Sequence, residues 1–111
     1  MAVTMSAITL NSADPARTAA FWAALLDGHW SAGGNGFIHV HGGPLLLIVQ
    51  PAPERTTPAS TDVHLDLRSD DAAAAVLRAV DLGARVVTTR SDSHGSWTVL
   101  RDVDGRAFCI A

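Results

Sequence analysis

The sequence is poor in the features that mark membrane, nucleic-acid-binding and disulfide-rich proteins. No hydrophobic run approaches the roughly 20 residues needed to cross a bilayer, and residues 1–6 lack the charged and apolar segments of a secretion signal. All eight basic residues are scattered arginines, and a net charge of -3 gives no electrostatic reason to expect nucleic acid. The single cysteine, Cys109, cannot form an internal disulfide, which fits a reducing compartment. We therefore expect a cytoplasmic protein without nucleic-acid or membrane partners.

Three common catalytic signatures are also missing from the sequence. It has no glycine-rich phosphate loop ahead of a helix, no Gly-x-Ser-x-Gly motif and no Cys-x-x-Cys pair. Nucleotide-dependent, serine-hydrolase and dithiol chemistry are therefore disfavoured. What is present is the composition of a folded globule, with 48% hydrophobic and 17% charged residues in 111. That length predicts one domain, residues 1–111.

The chain repeats itself at a constant offset. Residues 63–71 alternate aliphatic and polar side chains and then reach Asp70 and Asp71, which predicts a strand running into a helix start. Residues 7–14 have the same pattern, so that Ile8 corresponds to Leu65 and Asp14 to Asp71. Each half therefore begins with a strand followed by a capped helix.

The first half continues through recognisable elements. The helix after Asp14 has an apolar face and a predicted left-handed end at Gly28; a strand begins near Trp30, and residues 33–36 form a turn. Two further strands follow, one with alternating Phe37, His39 and His41, and one over residues 45–50 that we expect to be buried on both faces. The predicted helix face comprises Thr18, Phe21, Trp22, Leu25 and Leu26.

The second half repeats this order. Its helix is predicted to bury a narrow stripe and to end at Gly83, and strands follow at residues 85–89, 96–100 and 106–111. Residues 91–95 are predicted as a loop, 102–105 as a turn and 51–60 as an exposed connector. The predicted stripe comprises Ala73, Val76, Leu77 and Val80.

Both halves thus read as β-α-β-β-β, and neither is large enough to bury its own sheet face. The predicted fold is α+β, with two tandem βαβββ modules (1–55 and 61–111) forming one cupped, mixed and largely antiparallel sheet. The cup is the predicted functional cleft.

The order of these segments resembles the vicinal oxygen chelate superfamily of glyoxalases, bleomycin-resistance proteins and dioxygenases, and within it the small glyoxalase-like domains. The resemblance covers nearly the whole chain and is carried by Asp14-Pro15 with Phe21-Trp22, His64-Leu65-Asp66-Leu67, Leu82-Gly83-Ala84-Arg85, Trp97, Asp102-Val103-Asp104-Gly105 and Phe108-Cys109-Ile110. It implies the glyoxalase/bleomycin-resistance fold, often dimeric, with a small molecule held over a divalent metal.

The resemblance also implies four metal-ligand positions, and this sequence departs from most of them. Ala7 stands at the first and the apolar run 45–48 covers the second, whereas His64 fits the third and Cys109 replaces the usual Glu at the fourth. Tight binding of a divalent ion needs three or four N, O or S ligands. We therefore expect no cofactor, with a divalent metal (Zn, Ni, Mn or Fe) held through His64 as the alternative.

His64 and Asp66 are the candidate catalytic residues. A histidine titrates near neutrality and suits acid/base chemistry, and Asp66, two positions away on the same predicted face, would orient it. The plainer alternatives are a structural histidine held by Asp66 or a backbone carbonyl, and an Asp66 paired with an arginine.

The candidate ligand-binding residues are spread over both halves. His39 and His41 share one strand face, where a His-x-His pair can bind zinc if a third ligand approaches; they would otherwise be exposed edge residues. Trp97 and Trp30 would offer flat walls, Trp22 is assigned to the core, and His94 lies in a predicted exposed loop. Cys109 reads first as a small buried hydrophobe. The predicted lining of the cup comprises His39, His41, Leu46, Ile48, His64, Trp97, Phe108 and Cys109.

These observations favour a metal-free protein that binds or sequesters a partly apolar organic ligand, and we expect a homodimer. The alternative is a lyase, isomerase or dioxygenase-type enzyme that uses an atypical metal site around His64, His39 and His41, or acid/base catalysis by His64 and Asp66. A third reading is a dimeric interaction module whose cup is filled by its own side chains.

Overall fold

A computed structural model describes residues 5–52, 64–93 and 95–111. The chain divides into two units, Met1–Thr56 and Thr57–Ala111, and each has the order βαβββ. The predicted α+β class with two tandem βαβββ modules is confirmed. The joining of the modules into one cup stays a prediction, and residues 53–63 and His94 lie outside the described part. The elements are β1 (Ala7–Ser12), α1 (Pro15–Leu25), β2 (His29–Gly34), β3 (Phe37–His41), β4 (Leu46–Pro51), β5 (Leu65–Leu67), α2 (Ala72–Asp81), β6 (Arg85–Asp92), β7 (Gly95–Arg101) and β8 (Ala107–Ile110).

Each unit forms a four-stranded mixed sheet of the same topology. The first sheet has the order β1-β4-β3-β2 and the second β5-β8-β7-β6. In both, the first and last strands of the unit pair in parallel, and the other neighbours are antiparallel. The parallel pair requires a crossover, and the helix lies within it.

In the first unit, α1 covers the sheet face that contains Val40 and Val49, both buried. Phe21 and Trp22 are buried with their rings edge to face at 5.3 Å. The buried Ser12 and Thr18 hydroxyls join the strand to the helix by a 2.7 Å hydrogen bond. The predicted helix face is therefore confirmed for Thr18, Phe21 and Trp22, while Leu25 and Leu26 are half-buried.

Both helices begin with the same capping arrangement, as the repeat predicts. The Asp14 carboxylate accepts a hydrogen bond from the Arg17 backbone N–H at 3.3 Å, and the Asp71 carboxylate accepts one from the Ala74 N–H at 3.1 Å. A serine two residues before each cap accepts the aspartate's own N–H, at 3.0 Å in the first unit and 3.1 Å in the second. Such caps satisfy donors that the first helical turn leaves without partners.

The two helix ends differ from one another. Gly83 takes the expected left-handed conformation, with φ +116°. After α1 that conformation belongs to Asp27, with φ 53°, so the assignment to Gly28 was wrong. Gly28 is required for another reason: a Cβ there would lie 1.9 Å from the His41 carbonyl oxygen.

The apolar stripe predicted for α2 was wrong for all of its residues except Val76. Leu77 is 68% exposed and Val80 42% exposed, and Ala73 is exposed too. The inward face instead carries Ala79, fully buried, with half-buried Ala72, Ala75 and Val76. Small alanines let the helix approach its sheet closely, so the buried face consists mainly of alanines and not of the larger aliphatic residues.

Two strand predictions also need correction. β4 alternates buried Leu47 and Val49 with half-buried Leu46 and Ile48, so it is not buried on both faces. The predicted loop 91–95 is largely strand, because β6 extends to Asp92 and β7 begins at Gly95.

The turn predicted at 102–105 is confirmed, and the buried Asp102 carboxylate accepts the backbone N–H groups of Asp104 and Arg106, each at 2.9 Å. No helix in the described residues is long and apolar enough to cross a membrane.

Candidate functional site

The open face of the second sheet carries polar side chains of two paired strands, β5 and β8. Along β8, Phe108 and Ile110 are buried, and Cys109 alternates with them. Asp66 lies directly opposite Cys109 in the parallel register of β5 and β8. Side chains of directly paired residues project from the same face, so Asp66 and Cys109 share the face away from the core.

This face carries a half-open pocket of about 510 Å³. The volume is within the range of small-molecule sites. Polar and apolar groups both contribute to the wall. The lining residues are His64, Asp66, Leu67, Arg68, Trp97, Cys109 and Ala111.

Three side chains that can bind a metal ion or transfer a proton lie close together in the pocket. His64 Nε2 lies 3.2 Å from an Asp66 carboxylate oxygen. The ligand atoms of His64, Asp66 and Cys109 all lie within 4.8 Å of one another. Asp66 thus pairs with the histidine, as the acid/base hypothesis expects, and within the described residues it forms no ion pair with an arginine.

Burial raises the pKa of the Cys109 thiol, and the negative charge of Asp66 raises this pKa further. The Arg90 guanidinium opposes both effects on the Cys109 pKa, which places its positive charge near the thiol. Cys109 forms no disulfide and is half-buried as a residue, but its thiol is buried within the cluster, in keeping with the predicted small buried residue. At neutral pH Cys109 is therefore a protonated thiol at the pocket wall and a poor nucleophile.

Arg68 adds a positive charge to the wall. It lies one strand position beyond Leu67, on the same side as Asp66 and His64, and its side chain lines the pocket. Among the described residues no carboxylate lies within ion-pair distance of it. Sequence reasoning did not select Arg68, although the alternation of residues 63–68 already placed it on the polar face.

The other predicted lining residues are not among those that line this pocket. Phe108 is completely buried in the core of the second unit, so its assignment to the pocket wall was wrong. Trp30 is opposite buried Val40, on the α1 side of the first sheet, and is 51% exposed. The remaining candidates, His39, His41, Leu46 and Ile48, are half-buried on the first sheet's opposite face, where His39 pairs with Ile48.

A divalent metal is implied by the fold family, and the donor atoms present fit one kind of ion. Ala7 and Ile48 offer no ligand atom, whereas His64, Asp66 and Cys109 offer nitrogen, oxygen and sulfur within one cluster. Imidazole and thiolate suit a borderline ion such as Zn²⁺ better than a hard ion such as Mn²⁺. These three residues would hold the ion, and the thiol would have to lose its proton first.

Two consecutive βαβββ units, each with a four-stranded mixed sheet, define a class of small α+β proteins. The model of the glyoxalase-like domain family matches residues 7–111. The chain therefore belongs to the glyoxalase-like domain family. Sequence comparison with curated proteins finds no match.

Solved structures of this superfamily share the fold. The fosfomycin resistance protein FosX from Listeria monocytogenes superimposes with a TM-score of 0.82 at 17% identity, covering 99% of this chain and 93% of that one. A mutant FosX, solved with Mn(II) and a dihydroxypropylphosphonic acid, gives 0.81 at 18% identity over 99% and 90%. A glyoxalase/bleomycin resistance protein/dioxygenase family enzyme from Burkholderia phytofirmans gives 0.79 at 14% over 95% and 94%. At these identities the likeness concerns the fold.

Proposed function

We propose that this protein binds a small, partly apolar organic anion in the pocket of its second unit, without needing a metal. The observation that carries the proposal is the pocket itself, in which Trp97 and Arg68 line one cavity of about 510 Å³. An aromatic side chain offers a flat apolar wall to a planar ligand. The guanidinium offers paired donors that match a carboxylate or phosphonate.

The polar end of the pocket favours one charge on the ligand. Asp66 is already paired with His64 at 3.2 Å, so its negative charge is partly compensated when the histidine is protonated. Arg68 has no such carboxylate among the described residues, and Arg90 brings a second positive charge near Cys109. An anionic group on the ligand would compensate these guanidinium charges. Binding and sequestration require no further chemistry from the chain.

A panel of planar carboxylates (benzoate, 2-naphthoate and indole-3-acetate) tests this proposal by thermal shift and calorimetry in EDTA. A compound that binds only the folded chain raises the melting temperature. We expect Trp97→Ala to abolish the shift and Arg68→Gln to weaken carboxylate binding roughly tenfold or more, the loss of one charged hydrogen bond. The neutral amides of the same compounds should be unaffected by Arg68→Gln.

Two variants outside the pocket are matched controls. Trp30→Ala removes an exposed tryptophan of the first unit, and Arg85→Gln removes an exposed arginine that does not line the pocket. Both should bind as the wild type does. No thermal shift with any member of the panel, or equal losses in Trp30→Ala and Trp97→Ala, would contradict the proposal.

A second candidate is supported by the cluster of His64, Asp66 and Cys109. Their three ligand atoms lie within 4.8 Å, which suits a Zn²⁺ site of a lyase, isomerase or dioxygenase-type enzyme. A bound ion would supply Lewis-acid chemistry at the pocket. His64, paired with Asp66, would be the proton-transfer residue if the ion is absent.

Calorimetry of the chelator-stripped protein with Zn²⁺ separates the two candidates. A metal site here predicts one equivalent of bound Zn²⁺ that is lost in His64→Gln with Cys109→Ser, whatever that variant binds elsewhere. This binding should strengthen between pH 6 and 8, because the Cys109 thiol has to lose a proton. The metal-free proposal predicts carboxylate binding that is the same with and without Zn²⁺.

We further propose that residues 1–111 act as one glyoxalase-like domain and that the protein is a cytoplasmic homodimer. The support is the family resemblance and the single cysteine. Light scattering should then give twice the chain mass of 11.6 kDa. A mass of one chain at micromolar concentration would contradict the homodimer.

A further inference from the structure

The open face of the first sheet carries a cluster of three histidines, none of which lines the pocket of the second unit. His39 and His41 alternate on β3, and His29 of β2 lies directly opposite His41 in the antiparallel register. A strand pair that offers two histidines at i and i+2 and a third across the ladder brings all three to one face. His29 is the third ligand that the His-x-His pair needed.

We propose that His29, His39 and His41 form a second metal site, for a borderline divalent ion such as Zn²⁺ or Cu²⁺. Imidazole nitrogen is a favoured ligand of both ions. The site lies wholly within the β2–β3 hairpin and uses no residue of the pocket. A bound ion would tie the exposed edge strand β2 to its neighbour.

The spacing of two of the rings matches such a site. Two imidazoles on one tetrahedral ion, with Zn–N distances of about 2.1 Å, have ring centres about 5 Å apart. The His29 and His41 ring centres are 4.8 Å apart, and those of His39 and His41 are 6.4 Å apart. The backbone therefore holds the His29 and His41 rings at the required separation, whereas the His39 ring, which lies against Gly33, has to move toward His41.

The ring orientations show what has to change on binding. The His29 and His41 rings are stacked, 15° from parallel, so one of them has to turn to direct a nitrogen at the ion. His29 is exposed, and rotation about its terminal torsion is broad and inexpensive. The Ser31 hydroxyl lies 3.2 Å from His41 Nε2, which leaves His41 Nδ1 for the ion and supplies the outer hydrogen bond typical of metal-binding histidines.

Gly33 makes room for the third ring. A Cβ at this position would lie 2.7 Å from His39 Nε2, closer than van der Waals contact allows. The absence of a side chain at residue 33 therefore lets the His39 ring lie over the bulge in β2. A methyl group added there would displace a ligand without removing it.

Calorimetric titration of tag-free, chelator-stripped protein with Zn²⁺ tests the site. All measurements use the His64→Gln, Cys109→Ser background, so that any ion held in the pocket is already lost. We expect one equivalent of Zn²⁺ to bind this background protein, and His41→Gln or His29→Gln to weaken binding at least tenfold. Gly33→Ala should weaken it roughly tenfold, as loss of ligand positioning does elsewhere.

The control is Ser96→Ala, an exposed substitution in the other unit, which should leave Zn²⁺ binding unchanged. Circular dichroism checks that each variant is folded, and His29→Gln, at an exposed position, keeps the test valid if Gly33→Ala is unstable. Zn²⁺ binding that is unaffected by both His29→Gln and His41→Gln overturns the proposal, as does no binding to the background protein. Neither result bears on carboxylate binding in the pocket.

Discussion

At the scale of single residues, burial and nearby charges together determine the pKa of the Cys109 thiol in the pocket. The Asp66 carboxylate raises the pKa of Cys109 and the Arg90 guanidinium lowers it, and burial raises the pKa more than either charge changes it. A raised thiol pKa means that the folded chain keeps its proton while the unfolded chain loses it. The free energy of unfolding should therefore fall as the pH rises above about 9.0, the ordinary value of the thiol.

The reactivity of Cys109 toward iodoacetamide should reflect these charges. Only the thiolate reacts, so at pH 8 the folded protein should be alkylated more slowly than a free cysteine derivative. Asp66→Asn removes the charge that raises the pKa and should speed alkylation, whereas Arg90→Gln removes the opposing charge and should slow it.

Because the two substitutions act in opposite directions, a general loosening of the pocket cannot imitate the result. The measurement is the alkylation rate from pH 7 to 10, and its midpoint should move down in Asp66→Asn and up in Arg90→Gln. Rates that rise in both variants would show that access controls reactivity, and would contradict the electrostatic account.

At the scale of elements, strand alternation was a better guide than helix hydrophobicity. On β5 and β8 the alternation separates Phe108 and Ile110 in the core from Asp66 and Cys109 in the pocket. In α2 apolar residues lie on more than one face, because alanines are mixed with larger aliphatic residues. The spacing of apolar residues therefore does not single out one buried face. The helix packs against its sheet through its alanine face, and the helix sequence alone does not indicate that this face is the buried one.

The observed orientation of α2 predicts that enlarging a small buried residue lowers the free energy of unfolding more than truncating a large exposed one. Ala79→Leu adds volume at a fully buried position and should lower the free energy of unfolding by about 1–3 kcal/mol. Leu77→Ala removes a larger side chain, but one that is 68% exposed, and should change it by less than about 0.5 kcal/mol.

Urea denaturation of both variants measures these free energies. Ala73→Leu, on the exposed side of the same helix, is the control for the added volume and should be nearly neutral. A larger loss for Leu77→Ala than for Ala79→Leu would restore the orientation that the hydrophobic pattern suggests.

At the scale of the whole molecule, the fold was predictable because the two halves of the sequence carry the same order of elements. Ser12 with Asp14 and Ser69 with Asp71 mark equivalent helix starts, and the strands that follow were found with errors of a few residues. The contact of His64 with Asp66 was also predictable, since both lie two positions apart on one strand face.

The rest of the site depends on distances that the sequence does not contain. Arg68 and Ala111 reach the pocket through the sheet register, and His29 meets His41 because the hairpin turn sets that pairing. Phe108 and Cys109 are neighbours in sequence but project from opposite faces of β8, and only the register decides which one lines the pocket. Ligand identity depends on the shape of this surface.

The central claim is that the second unit binds an organic anion without a metal. The most direct test is a ¹H–¹⁵N correlation titration of the labelled protein with 2-naphthoate in EDTA. We predict saturable shifts at Asp66, Arg68 and Cys109 and at the Trp97 indole, with Ile48 and Trp30 unchanged. Shifts confined to the first unit, shifts that need added Zn²⁺, or no shifts at millimolar 2-naphthoate would contradict the claim.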